Sequence, residues 1–252
     1  LATFSRGGSD VTGAVLAAYD NMPGRIYGLA LDSRGQVWGV LNPGNKLARL
    51  GRSGRAVDLY DPPAGASLYG IAVDLQGYVW TGDNSRGGVL RFDPAQARWE
   101  RFGDDEGAGR GVAADAAGNI WVADSGRNLL LQFDGATGAI TGRHETGGIG
   151  PVGVAVDSEQ FVWVVNQGTD NAARLEPQRG GIVGVYPTGN GPYTYSDMTG
   201  YSLNTFVARR GLYTVAFHAE PLDLRLVSPT DGCLISTTAA EPLGLAVAVL
   251  VG

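Results

Sequence analysis

Chemically versatile side chains are scarce in this chain of 252 residues, which has one cysteine, two histidines and, at Lys46, a single lysine among 19 basic residues. The one thiol, Cys233, excludes an internal disulfide and a zinc site built on cysteines. Beside an apolar segment it reads as a small buried residue. The basic residues form no run, and 25 acidic residues give a formal net charge of −6 and an isoelectric point near 4.9. That balance argues against nucleic acid, which calls for clustered Lys and Arg. The longest apolar run, LGLAVAVLV from Leu243, is half of the roughly 20 residues a membrane-spanning helix needs, so no span is expected. The chain starts at Leu1 without a signal peptide and reads as a processed product or a cut fragment. Helical periodicity, a Ser-His-Asp order, a GxSxG elbow, HExxH, a Walker loop and a Rossmann fingerprint are all missing. The glycine-rich GGIGPVG leads into a strand and offers no helix N-terminus to a phosphate.

Glycine, by contrast, is abundant, with 40 residues against 12 prolines, and it recurs in register. Gly-x-Ala-x-Asp-x-x-Gly-x-Val-Trp occurs as Gly28-Ala30-Asp32-Gly35-Val37-Trp38 and again as Gly70-Ala72-Asp74-Gly77-Val79-Trp80. A third copy is Gly111-Ala113-Asp115-Gly118-Ile120-Trp121, and a fourth is Gly153-Ala155-Asp157-Gln160-Val162-Trp163, with Gln160 replacing the turn glycine. The copies lie 42, 41 and 42 residues apart, the period of a four-stranded propeller blade. Within a copy, YGLALD alternates as a strand does and DSRG is a tight turn. VWGVL and LARL follow as second and third strands, and AVDLYD as the fourth.

Two degraded copies extend the series. Gly191-Pro192 repeats the lead-in of Gly150-Pro151 and reaches Asp197 near where an Asp is due, and Pro242-Leu243-Gly244 mirrors Pro151-Val152-Gly153. LATFS and AVLAAYD fit the third and fourth strands of a blade whose first strand is the C-terminal GLAVAV. The expected fold is therefore all-β, a six-bladed β-propeller over residues 1–252 whose N- and C-terminal strands share the closing blade. The alternative is a propeller over 1–205 followed by a small β-sandwich or linker over 206–252.

The segment WVADSGRNLLLQFD, from Trp121, resembles the NHL-repeat propellers. VWVVNQGTDNAARLEP, from Val162, is similar to the virginiamycin B lyase-like propellers of secreted bacterial proteins. The resemblance covers about residues 24–200. It implies radially packed sheets, export to the periplasm, cell surface or exterior, and ligands on one face near a central channel. Streptogramin lyases of that group use histidines, a glutamate and magnesium. This chain offers His144 and His218 only, and His218-Ala219-Glu220 reverses the Glu-x-His order of those lyases.

Candidate sites follow from the repeat. Trp38, Trp80, Trp121 and Trp163 read as packing between sheets, and Asp32, Asp74, Asp115 and Asp157 as turn formers rather than a carboxylate ring. Asn42, Asp83 with Asn84, Asp124 and Asn166 fall three or four residues past each Trp. Together with Asp61, Asp104, Asp105 and Glu106 in the blade-to-blade loops, they give one face rich in short acids and amides. Such a face suits a polyol or a hard cation, Ca or Mg, with Asp83, Asp124 and Asn166 as its ligands. Ordinary loop chemistry explains the same residues. His144 with Glu145, expected on a turn between blades, could serve as a base and its orienting acid. The expectation is a non-catalytic exported propeller that binds a protein partner or self-assembles and carries no cofactor. The alternative is a metal-assisted lyase or lactonase using the acidic face.

Overall fold

The computed structural model describes residues 22–34, 36–51 and 57–194 in full, and backbone strands at 2–5, 14–18, 212–216, 223–226, 235–238 and 246–250. The chain divides into two compact units, one of residues 17–203 with Leu1 and one of residues 2–16 with 204–252. Near the N-terminus β1 (Ala2–Ser5) pairs with β2 (Ala14–Ala18). Four antiparallel four-stranded sheets follow, each a simple meander in chain order. Blade 1 is β3 (Arg25–Leu31), β4 (Val37–Asn42), β5 (Lys46–Leu50) and β6 (Val57–Tyr60). Blade 2 is β7 (Leu68–Val73), β8 (Val79–Asp83), β9 (Val89–Asp93) and β10 (Arg98–Phe102). Blade 3 is β11 (Gly109–Ala114), β12 (Asn119–Asp124), β13 (Leu129–Asp134) and β14 (Ile140–Glu145). Blade 4 is β15 (Pro151–Val156), β16 (Val162–Asn166), β17 (Asn171–Glu176) and β18 (Gly181–Pro187), with a single 3₁₀ turn at Gln167–Thr169. The described residues hold no α-helix.

The repeat explains the packing. Across strands one and two, the repeat Ala lies opposite the repeat Trp in every blade: Ala30↔Trp38, Ala72↔Trp80, Ala113↔Trp121 and Ala155↔Trp163. A small residue there leaves room for the indole on the sheet face. Trp38, Trp80 and Trp121 are fully buried, and each reaches the next sheet. Trp121, for instance, packs with Val154, Val156, Val162 and Leu175 of blade 4. Trp163 is half-buried. Burying one such ring contributes about 4–6 kcal/mol, taking roughly 25 cal/mol per Å² over some 200 Å².

The first strands β3, β7, β11 and β15 lie next to one another from sheet to sheet and form the inner wall of the described blades. Glycine makes this approach possible. A Cβ on Gly70 would sit 2.8 Å from the Gly111 Cα, and one on Gly111 would sit 2.8 Å from the Gly153 Cα. A Cβ on Gly153 would meet the Thr194 side chain. Thr194 therefore stands where the next repeat glycine would fall, in line with a fifth copy opening at Gly191-Pro192. Its expected Asp197 lies outside the described residues.

The expected closing blade is not found among the described strands. The last strand, 246–250, pairs antiparallel with 212–216, with Leu212↔Leu250 and Ala216↔Ala246 in register. Residues 223–226 pair with 235–238, and β1 pairs with β2. In chain order these four late strands are β19 (Leu212–Ala216), β20 (Asp223–Leu226), β21 (Ile235–Thr238) and β22 (Ala246–Leu250). The described four-stranded blades number four. His218, Cys233 and Glu241 lie outside the described residues.

Candidate functional site

The turn aspartates and the tryptophans form one device. Asp74 Oδ1 accepts the backbone N–H groups of Gln76 and Tyr78, both at 2.9 Å, while Oδ2 accepts Trp80 Nε1–H at 2.7 Å. The same carboxylate-to-indole bond joins Asp32 to Trp38 (3.2 Å), Asp115 to Trp121 (2.8 Å) and Asp157 to Trp163 (2.8 Å). The six-residue interval from Asp to Trp therefore sets both the turn and the orientation of the buried ring. Burial pushes the Asp74 carboxyl above the usual carboxylate range, against the opposing pull of its hydrogen bonds.

Asp83, Asp124 and Asn166 do not line an open face. Each ends the second strand of its blade, is fully buried, and ties that strand to the loop entering from the preceding blade. Asp83 Oδ1 accepts the N–H of Ser67, Ser85 and Arg86 at 3.1, 3.0 and 3.3 Å, and its Oδ2 pairs with Arg101. Asp124 Oδ1 accepts the N–H of Ala108, Gly126 and Arg127 at 3.0, 3.0 and 3.2 Å. Asn166 Nδ2 donates to Thr146 O at 2.7 Å. Asn84 is half-buried and donates its own N–H to Ser67 O (2.9 Å), whereas Asn42 is exposed at the end of β4. Short polar residues next to glycine read as loop tips, and the covering loop of another blade is what buries them.

A second tie, missed in the sequence, lies seven residues past the Trp. Asn45, Asn128 and Asp170 hold left-handed backbone (φ 44, 58 and 55°). Their Oδ1 atoms accept the N–H of Leu68, Gly150 and Gly191 at 2.9, 2.8 and 2.7 Å, at the entry to the following blade. Blade 2 has Gly87 at this place. The equal offset from Trp was the available signal.

Three of the four loop acids are ion-paired as well, whereas Asp105 is exposed. Glu106 pairs with Arg127 and Arg143, which hold its carboxyl below the ordinary range, the Arg143 hydrogen bond acting most. Asp61 pairs with Lys46, and Asp104 lies 3.6 Å from Arg101. Among the described residues no three of His, Cys, Asp and Glu stand close enough to hold a metal ion. Two buried oxygens, Asp124 Oδ2 and Asn166 Oδ1, lack a hydrogen-bond partner, and burial pushes the Asp124 carboxyl up. Two orphaned oxygens in separate blades do not fit the oxygen-rich shell that Ca or Mg requires. A cavity of about 550 Å³ lies beside Asp104, Asp105, Gly107 and Arg127, and one of about 580 Å³ beside Asn119, Gln132, Glu159 and Glu176.

The His144–Glu145 pair lies on β14 rather than on a turn. Adjacent strand residues face opposite sides of the sheet, so Glu145 is exposed while His144 is half-buried. His144 occupies the place that Tyr60, Phe102 and Tyr186 hold in the other blades. Each of these rings packs against its own Trp, with Trp121–His144 centroids 5.4 Å apart. The imidazole Nδ1 is 3.3 Å from Gly180 O and Nε2 is 3.2 Å from Gln132 Oε1. It packs as a fourth-strand aromatic residue, and Glu145 does not orient it.

The inner wall supplies a cluster that the sequence reading passed over. Every first strand breaks register at the residue before its repeat glycine, between Ile26 and Gly28, Leu68 and Ile71, Gly109 and Val112, and Pro151 and Gly153. A bulge takes a residue out of the ladder and re-aims its side chain. The residues released are Tyr27, Tyr69, Arg110 and Val152. Tyr27 and Tyr69 meet edge to face at 5.0 Å, and both hydroxyls hydrogen-bond the hydroxyl of Tyr193, which aligns with them in the fifth copy. The Arg110 guanidinium lies 5.4 Å over the Tyr69 ring.

These sheets, joined blade to blade around a wall of first strands, define a β-propeller. No family model and no curated protein sequence matches the chain. Solved structures match in fold. A catalytically inactive virginiamycin B lyase from Staphylococcus aureus with quinupristin is 17% identical with a TM-score of 0.60, over 90% of this chain and 74% of that one. A chain of a nidogen/laminin complex is 14% identical with a TM-score of 0.62, over 75% and 73%. A gluconolactonase from Xanthomonas campestris is 17% identical with a TM-score of 0.58, over 73% and 69%. The architecture agrees with the resemblance to NHL-repeat and virginiamycin B lyase-like propellers, and at these identities the likeness is one of fold.

Proposed function

We propose that this chain is a non-catalytic binding module, exported and working within a cell-surface or extracellular assembly, and that its ligand docks on the inner wall. One observation carries the reading. The side chains that would do chemistry are tied into the scaffold, whereas Tyr27, Tyr69, Tyr193 and Arg110 converge on the inner wall, apart from the Asp–Trp device that packs sheet on sheet. A protein partner or a second copy fits the outer strand β18, where Val183 and Val185 are exposed on one face. The described residues contain no helix long and apolar enough to cross a membrane.

The rival reading is a metal-assisted lyase or lactonase, which the neighbouring structures keep in view. Supplying the protein with Mg or Ca and either quinupristin or gluconolactone separates the two. A binding module gives no turnover above buffer. Ion-dependent turnover that disappears in Asp124→Asn would overturn the proposal.

A further inference from the structure

We infer that the inner-wall cluster is a site for a small carboxylate carried on a flat apolar body, an inference that rests on reading this wall as the ligand site. Arg110 makes the argument. The half-buried arginines Arg49, Arg91, Arg101 and Arg174 each pair with a carboxylate. Arg110 is equally half-buried, yet among the described residues it has no carboxylate partner, and its Nε is buried with no hydrogen bond. A guanidinium carries five N–H donors in a fixed fork that matches a carboxylate, and desolvating the charge without a counter-ion is costly. A buried Nε–H without a partner among the described residues suits an anion that arrives from outside.

The surroundings set the rest of the ligand. The Tyr69 ring beneath the guanidinium and the Tyr27 ring edge-on to it offer flat apolar surface at one end. The three tyrosine hydroxyls, hydrogen-bonded to one another, gather at the other. Tyr27, Tyr69 and Arg110 all come from the residue at the first-strand bulge, the place where a strand re-aims a side chain. Val152, the fourth copy, brings neither charge nor ring, so the site is one-sided, with its anion contact at blade 3.

The test uses the intact ¹⁵N-labelled chain, with benzoate, its neutral analogue benzamide, and acetate as probes. Benzoate should shift the Arg110 Nε–Hε resonance saturably and bind at least about tenfold more tightly than benzamide or acetate, an advantage that added salt weakens. Arg110→Val should abolish the preference for benzoate over benzamide while the circular dichroism stays unchanged, and Arg110→Lys should restore part of it as a point charge without a fork. Equal binding of benzoate and benzamide, or an unchanged preference in Arg110→Val, would overturn the anion assignment and leave the ligand site standing. If none of the probes perturbs Arg110, Tyr27, Tyr69 or Tyr193, both this inference and the reading of the wall as a ligand site fall.

Discussion

Two surfaces of each blade share one 42-residue frame and treat it oppositely. On the faces between sheets, Ala, Asp and Trp return in every copy, and the ring on the fourth strand is Tyr60, Phe102, His144 or Tyr186. On the inner wall, the residue at the first-strand bulge is Tyr27, Tyr69, Arg110 or Val152, with no two neighbouring chemistries required to agree. The backbone is equally regular at both places. What repeats is the device by which every blade packs against the next, and what varies lies outside that device, although Tyr69 and Val152 are themselves buried. Variation inside a strict repeat points to the ligand better than an acidic loop does.

The largest expected effect is on the repeated side. Trp121→Ala should cost about 3–5 kcal/mol, because the cavity opens between the sheets of blades 3 and 4 and Asp115 loses its indole partner. Denaturant titration reads this, and a loss under about 1 kcal/mol would make the ring peripheral.

The buried latches sharpen the comparison within the repeated set. Asp83→Asn leaves Arg101 only its longer contact to Asp104 and should cost about 2–3 kcal/mol. Asp124→Asn keeps the three N–H contacts to Oδ1 and removes a charge whose other oxygen has no partner, so it should cost under about 1 kcal/mol near neutrality. The pH dependence has a definite sign. Because burial raises the Asp124 carboxyl in the folded state, its contribution to stability is present at low pH and is lost as pH rises through the folded value. Asp124→Asn should accordingly gain on the parent chain as pH climbs from about 4. Glu106, held low by its arginines, runs the other way in both chains and cancels in the difference. A flat difference between pH 4 and 7 would contradict the buried charge.

The smallest effect concerns the imperfect copy of the turn. Gln160 holds φ 67° where Gly77 and Gly118 hold 92 and 91°, a conformation that costs a residue with a side chain. Gln160→Gly should stabilise by about 0.4–1 kcal/mol, set against the loss of the Ala116 N–H bond to Gln160 Oε1 (3.1 Å). Thermal unfolding would show the gain, and a net loss would make that side-chain bond the stronger term.

Much of the scaffold was legible because its signals are local. A turn Asp, a Trp six residues on and a 42-residue return fix strand order and sheet membership within one copy. The surroundings of the candidate residues were not legible. Asp83 and Asp124 look like loop acids until the preceding blade's loop lies over them, and His144 looks like a base until it is aligned with Tyr60 and Phe102. Tyr27, Tyr69 and Arg110 gave no signal singly. Their grouping depends on a bulge and on adjacent first strands, neither of which a single copy reveals. At the C-terminal end the mirrored Gly244 motif suggested closure with β1; among the described strands β22 pairs with β19.

The central claim is that the varying inner-wall positions do not hold the fold. Arg110→Val puts into blade 3 what blade 4 already has at Val152, and its unfolding free energy measured by denaturant titration tests the claim most directly. The account predicts a value within about 0.5 kcal/mol of the parent chain. A loss above about 2 kcal/mol would show that Arg110 is part of the packing and would contradict it.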